Sequence, residues 1–206
     1  MTRATSGDAT ASRGNVRGEQ TRSRLLDAAL RSFAARGFHG TGTRDIAEAA
    51  GMSPAAVYVH YRTKEELLFA LSLAGHRHVL ELITAAAGRR TGPDEQLREV
   101  VREYTAWHAR EHTHARVVQY EMAALTPEHA EEIAGIRREI EAKVRGIIRA
   151  GVDAGRFRPT DVGMAALALL SLGIDVARWY RADGAWTPEE IGEQYGELGL
   201  RMLSAS

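Results

Sequence analysis

Arg44, Ala55, Ala56 and Tyr58 are residues whose types and spacing suggest chemistry, and that chemistry is recognition rather than catalysis. A guanidinium such as that of Arg44 can meet a phosphate, or pair bidentately with a guanine edge for about 1–3 kcal/mol of discrimination between bases. Ala55, Ala56 and Tyr58 can present apolar surface to thymine methyl groups. A second group lies mid-chain. His108 and His112 are four apart, on one face of any helix that carries them, with His114 close by, and imidazoles so spaced can hold a metal ion. Nothing completes that pattern: the chain has no cysteine, and Glu111 falls elsewhere on the helical wheel. The expectation is no metal site and no cofactor, with these histidines partly exposed or lining a pocket. A metal-responsive site on His108, His112 and His114 stands as the alternative. The motifs an enzyme would need are missing: there is no nucleophile elbow, no phosphate-cradling glycine loop and no zincin pattern.

The recognition residues sit in TGTRDIAEAAGMSPAAVYVHYRTK, residues 41–64, which must fold as two short helices joined by a tight turn. Ile46, Ala47 and Ala50 share one face of the first helix. Gly51 follows, where the helix end needs a left-handed backbone. Ser53 caps the second helix and Pro54 takes its first position, where a missing N–H costs nothing. Val57 and Tyr61 give it a buried side, which leaves Ala55, Ala56, Tyr58, Val59 and His60 outward or on its flanks. Thr63 and Glu66 form a capping box that starts the next helix at Lys64. This is a helix-turn-helix, whose second helix lies in the DNA major groove. Ahead of it, Leu25, Leu26, Ala29, Phe33 and Ala34 recur at helical spacing from about Gly18 to Arg36, and Gly37 ends the run. Phe33 and Phe38 are the anchors of that packing. Residues 1–17 read as a disordered basic arm whose arginines can reach along a groove.

The remainder is helical as well. A long helix is predicted from Lys64 to about Ala87, then others over Asp94–Arg110, Thr113–Leu125, Thr126 to an end near Gly151–Gly155, Asp161–Arg181 and Thr187–Leu203. The stretch Asp161–Arg181 is apolar nearly all round and must be covered on every side. No strand-like alternation competes, so the fold class is all-α, about nine helices. The domains are residues 18–63, a three-helix DNA-binding unit, and residues 64–206, a larger helical unit. Charge agrees with the division. Residues 1–64 carry ten basic against five acidic side chains, and the whole chain of 206 residues is neutral. A basic first third and an acidic remainder suit a DNA-binding module followed by one that does not touch DNA. No apolar signal segment opens the chain, and the longest apolar run, Met164–Ile174, is short of the roughly 20 residues of a bilayer span. A cytoplasmic protein without membrane contact is expected.

Over residues 37–68 the sequence resembles the TetR family of bacterial transcriptional regulators. The matching residues are Gly37-Phe38, Gly40-Thr41, Arg44-Asp45-Ile46-Ala47, Ala50-Gly51, Ser53-Pro54, Tyr58, His60-Tyr61 and Lys64-Glu65-Glu66-Leu67-Leu68, in order and without gaps. Gly42 departs, standing where the family has Ser or Thr, as does Val59, where many members are polar. The resemblance implies a repressor, homodimeric on a palindromic operator and released by a small molecule. It implies phosphate contacts from Thr43, His60, Tyr61 and Lys64, with Thr41 and Ser53 completing the DNA-binding set. Helices 161–181 and 187–203 would pair with those of a second copy. Residues 116–126, with Ala177–Tyr180, Gly184 and Thr187–Glu190, look like regulators of lipid or sterol catabolism. That implies a hydrophobic or acyl-CoA-like effector, with Trp107, Arg116, Tyr120, Met122 and Trp179 as ligand-binding candidates. Arg110, Arg137 and Arg138 join Arg116 as candidates for a tunnel mouth. A helical enzyme, or a scaffold without DNA binding, is the rival class; it would leave the Ala55/Ala56/Tyr58 face and the basic first third unexplained.

Overall fold

The computed structural model describes the backbone of residues 8–203 and the side chains of residues 18–203. Two compact units divide the chain at Leu71 and Ser72. Among the described residues there are nine α-helices, one 3-10 turn and no strand. The first unit holds α1 (Asp8–Arg36), α2 (Thr43–Ala49), α3 (Pro54–His60) and the opening turns of α4 (Lys64–Gly88). The second holds the rest of α4, then α5 (Pro93–Arg110), α6 (His112–Glu121), α7 (Pro127–Asp153), α8 (Val162–Trp179) and α9 (Pro188–Leu203). The 3-10 turn, Met122–Ala124, breaks the helix expected over Thr113–Leu125 and leads into the Thr126 cap of α7.

The first unit buries Leu25, Ala28, Ala29 and Phe33 of α1 with Ile46 and Ala47 of α2, Val57 of α3 and Leu67 and Leu68 of α4. The Phe33 and Phe38 rings meet tilted by 43°, their centroids 5.5 Å apart. Gly37 ends α1 at φ 70° and Gly51 ends α2 at φ 65°, left-handed conformations that glycine adopts without steric cost. The α1 helix begins at Asp8, ten residues before the predicted start. The expected disordered arm over residues 1–17 is corrected to that extent: the backbone of 8–17 continues α1. Extending an existing helix carries no nucleation cost, so a weakly helical, polar stretch can join it. Residues 1–7 lie outside the described residues.

In the second unit α5 is the central helix, packed against α7, α8 and α9. Its contact with α9 is close because α9 presents glycines. A Cβ at Gly192 would lie 2.6 Å from the Arg102 carbonyl oxygen, and one at Gly196 would lie 3.0 Å from that of Arg98. Ion pairs run alongside: Arg98–Glu197 at 3.2 Å, Arg102–Glu193 at 3.7 Å and Arg110–Glu189 at 2.5 Å. Buried Glu99 is held by Arg102 at 2.8 Å and by Arg89 and Arg90 at 3.3 and 3.4 Å. The hydrogen bonds from Arg102 and then Arg90 keep its carboxyl below the usual range. Helix α8 buries Ala166, Leu169, Gly173, Val176 and Ala177 but leaves Met164, Leu167, Leu172 and Trp179 exposed, and α9 exposes Leu198 and Met202. By length and composition alone α4 and α8 match a membrane span; each instead contributes residues to the helical core of this unit.

Candidate functional site

The candidate reading face is built by α3. Ser53 caps it by accepting the Ala56 N–H at 3.2 Å, and buried Val57 fixes which side turns inward. Ala55, Tyr58 and Val59 consequently face outward, Val59 at 80% exposure, with Ala56 and His60 on the flanks. Tyr61, half-buried, ends the helix in extended backbone. Burial raises its hydroxyl pKa, and the Arg22 guanidinium opposes the shift, which places that charge close by. On α2, Arg44 is exposed and Thr43 half-buried. The Gly42 N–H, lacking a capping hydroxyl in its own residue, donates to Asp45 Oδ2 at 2.7 Å.

Much of the basic first third turns out to hold the unit together. Arg24 donates to the Ala50 carbonyl at 2.8 Å and Arg31 to that of Ala49 at 3.4 Å, satisfying carbonyls that the end of α2 leaves open. Arg36 pairs with Asp45 at 3.3 Å. The Lys64 ammonium lies over the Phe38 ring and donates to the Phe38 and Thr41 carbonyls at 2.7 and 2.9 Å. Only one of its three N–H donors is left for a phosphate. Thr41 is a correction. Its side chain is 1% exposed and its hydroxyl is spent on the Gly37 and Ser32 carbonyls, so it cannot face DNA.

The second unit contains a cavity of about 280 Å³ walled by α4, α5, α6, α7 and α8. Apolar wall comes from Val79, Trp107, Val118, Leu170 and Ile174. Polar wall comes from His76, His108 and His114 and, at exposed positions, from Gln119, Arg137, Arg138 and Ser171. Gly75 makes the room: a Cβ there would meet the His114 ring at 3.3 Å. His108 is 6% exposed, and burial pushes its imidazole pKa down to about 4, so the ring is neutral at ordinary pH. His76 is lowered too, by burial first and then by the Arg137 and His114 charges. Burial raises the Tyr104 hydroxyl, which stays protonated. Arg137 meets the Met122 sulfur at 3.2 Å and no carboxylate among the described residues, while Arg138 pairs with Glu131 at 2.7 Å.

Residues 25–71 match the family described as bacterial regulatory proteins of the tetR family, and residues 90–203 match the tetracyclin repressor-like C-terminal domain. The chain belongs to the TetR family. It is similar to the transcriptional repressor KstR2 of Mycolicibacterium smegmatis, at 30% identity over 196 residues, covering 90% of this chain and 91% of that protein. Among solved structures, a tetR-family regulatory protein from Rhodococcus RHA1 superposes with TM-score 0.86 at 46% identity, covering 90% of this chain and 98% of the other. AibR, solved with isovaleryl coenzyme A and operator DNA, superposes with TM-score 0.79 at 26% identity, covering 86% and 97%. This TetR-family chain is a DNA-binding transcriptional regulator, and the relatives it resembles are regulators rather than enzymes.

Of the five ligand candidates drawn from the TetR resemblance, Trp107 lines the cavity and Met122 sits on Arg137 at its edge. Arg116, Tyr120 and Trp179 do not line it. On α6 the lining positions are His114, Ala115, Val118 and Gln119, so Arg116 and Tyr120 fall on another side of the wheel, Tyr120 62% exposed. Trp179 lies at the end of α8, 37% exposed. Of the mouth arginines, Arg137 and Arg138 border the cavity; Arg110 is tied to Glu189. The three-histidine metal alternative fails, because His112 turns to Tyr180, ring centroids 5.2 Å apart, and away from the cavity. No group of three or more side chains suited to a metal occurs among the described residues. His76 was missed by the sequence reading. Gly75 beside it, a glycine inside an otherwise unbroken helix, was the available sign of a close approach.

Proposed function

We propose that this TetR-family protein is a repressor that binds a palindromic operator as a homodimer and is released by a small hydrophobic or acyl-CoA-like effector in the α4–α8 cavity. Operator DNA puts that work in the cytoplasm. The observation that carries the effector half is the cavity itself, apolar in its walls with two arginines on exposed positions, a shape of site that takes an amphipathic anion. AibR, with its isovaleryl coenzyme A and operator DNA, supports the same pairing of ligands. A dimer is supported by the apolar surface left open on α8 and α9, where Met164, Leu172, Leu198 and Met202 are all exposed.

On the reading face, Arg44, Ala55, Ala56 and Tyr58 meet base edges, and Thr43, Ser53, His60, Tyr61 and the spare donor of Lys64 meet phosphate. The coupling runs through α4, which continues from the reading unit at Lys64 to the cavity wall at Gly75–Val79. Occupancy favours a tilt of α4 that moves the two reading helices out of register with successive major grooves. Reciprocity then requires operator to weaken effector binding by the same factor. Operator-shift titrations with and without an acyl-CoA ester test this. Loss of operator affinity on adding the ester supports it, whereas full affinity in the presence of bound ester rejects it.

A further inference from the structure

The effector cavity has a chemical polarity of its own, which sharpens what it can hold; the inference below rests on that cavity being the effector site. The Nδ1 atoms of His108 and His76 lie 2.8 and 2.7 Å from the backbone oxygens of Tyr104 and Ser72. A carbonyl oxygen only accepts, so in both rings Nδ1 must carry the hydrogen. Both imidazoles border the cavity, and burial keeps them neutral. A neutral ring protonated at Nδ1 presents a bare lone pair at Nε2. Among the described residues no protein donor meets either Nε2. Of the donors that line the cavity, those on Gln119, Arg137, Arg138 and Ser171 occupy exposed positions, while the Tyr104 hydroxyl and the Trp107 indole N–H lie deeper; His108 is almost wholly buried, and Glu141 adds one carboxylate to the lining. The cavity thus places its guanidinium charge at exposed positions and a bare imidazole acceptor, His108 Nε2, in its buried part.

We infer that the effector enters with its anionic end at Arg137 and Arg138 and carries a hydrogen-bond donor at its buried end, a hydroxyl or an N–H, received by Nε2 of His108, the more deeply buried of the two rings. A plain hydrocarbon tail leaves the His108 lone pair dry and unpaired, so the site discriminates against it. Imidazole nitrogens also bind metals, but the third ligand such a site needs is absent among the described residues.

Two measurements on the full-length protein test the inference. Nitrogen NMR of the histidine rings at neutral pH is expected to show His76 and His108 protonated at Nδ1 and bare at Nε2; the opposite tautomer in both overturns it. Three probes are then titrated: 12-hydroxydodecanoic acid, its 12-methoxy ether, which keeps the oxygen but has no donor, and dodecanoic acid. The hydroxy acid is expected to bind at least about tenfold more tightly than either, moving the His108 Nε2 signal. The preference should collapse in His108→Phe and survive in His76→Phe; collapse in His76→Phe alone overturns the assignment to His108. Equal binding of all three overturns the donor requirement and leaves the effector cavity standing. Binding by none, with the ring signals unmoved, overturns both. Tight zinc binding at the same Nε2 signals overturns it in favour of a metal.

Discussion

Single side chains divide into those that face a ligand and those whose polarity is used up inside the fold. Arg44 is exposed and meets no partner among the described residues. Its replacement by Ala should leave stability within about 0.5 kcal/mol while lowering operator affinity. If it meets a phosphate, the salt dependence of binding should fall by about one unit of slope; if it reads a guanine, discrimination at one base pair should fall instead. Lys64 should behave the other way. Lys64→Met strands the Phe38 and Thr41 carbonyls and should cost about 1–3 kcal/mol in urea unfolding. His108 makes a pH prediction. Its folded pKa of about 4 lies below the ordinary value of about 6.5 for an unfolded chain, so the unfolded state binds the proton more tightly. The associated stability is complete above pH 6.5 and is lost as pH falls towards 4, on the order of 3 kcal/mol in all. Urea midpoints of His108→Phe should therefore fall less than those of the parent chain between pH 7 and pH 4.5. The outward face of α3 was legible because it follows from local spacing. The work of Thr41 and Lys64 was not: their partners are carbonyls of α1 and of the α1–α2 connection, and for Lys64 these lie 23 and 26 residues away in sequence.

Helix starts were the most legible elements, since a cap is a local hydrogen bond. Ser53, Thr126 and Thr187 each accept an N–H three residues on, as their sequence contexts imply. What a helix packs against is a long-range matter, and there the sequence was weaker. The glycines of α9 admit the backbone of α5, a partner far away in sequence that helical spacing does not reveal. Gly192→Ala should destabilise by about 1–3 kcal/mol, because its Cβ meets a carbonyl on a packed helix. Gly146→Ala on α7 has nothing within 4 Å and should stabilise by about 0.5–1 kcal/mol through helix propensity alone. Urea unfolding of the pair separates packing from propensity. On α6 and α8 the aromatic residues Tyr120 and Trp179 were expected at the ligand, yet wheel position, set by tertiary packing, puts them outside the cavity.

At the scale of the whole molecule, the apolar faces of α8 and α9 and the division of charge between the two units make one proposal: two copies, two reading heads, one operator. Leu172→Glu combined with Leu198→Glu should shift sedimentation from dimer towards monomer and weaken operator binding with it, since a monomer engages only a half-site. The central claim is that cavity and operator are coupled. It is tested most directly by the anisotropy of labelled operator DNA titrated with the protein, with and without an acyl-CoA ester whose binding is followed through Trp107 fluorescence. The account expects the ester to weaken operator affinity by roughly 5–150-fold, with operator weakening the ester by the same factor. Operator affinity unchanged while Trp107 reports a filled cavity would contradict it.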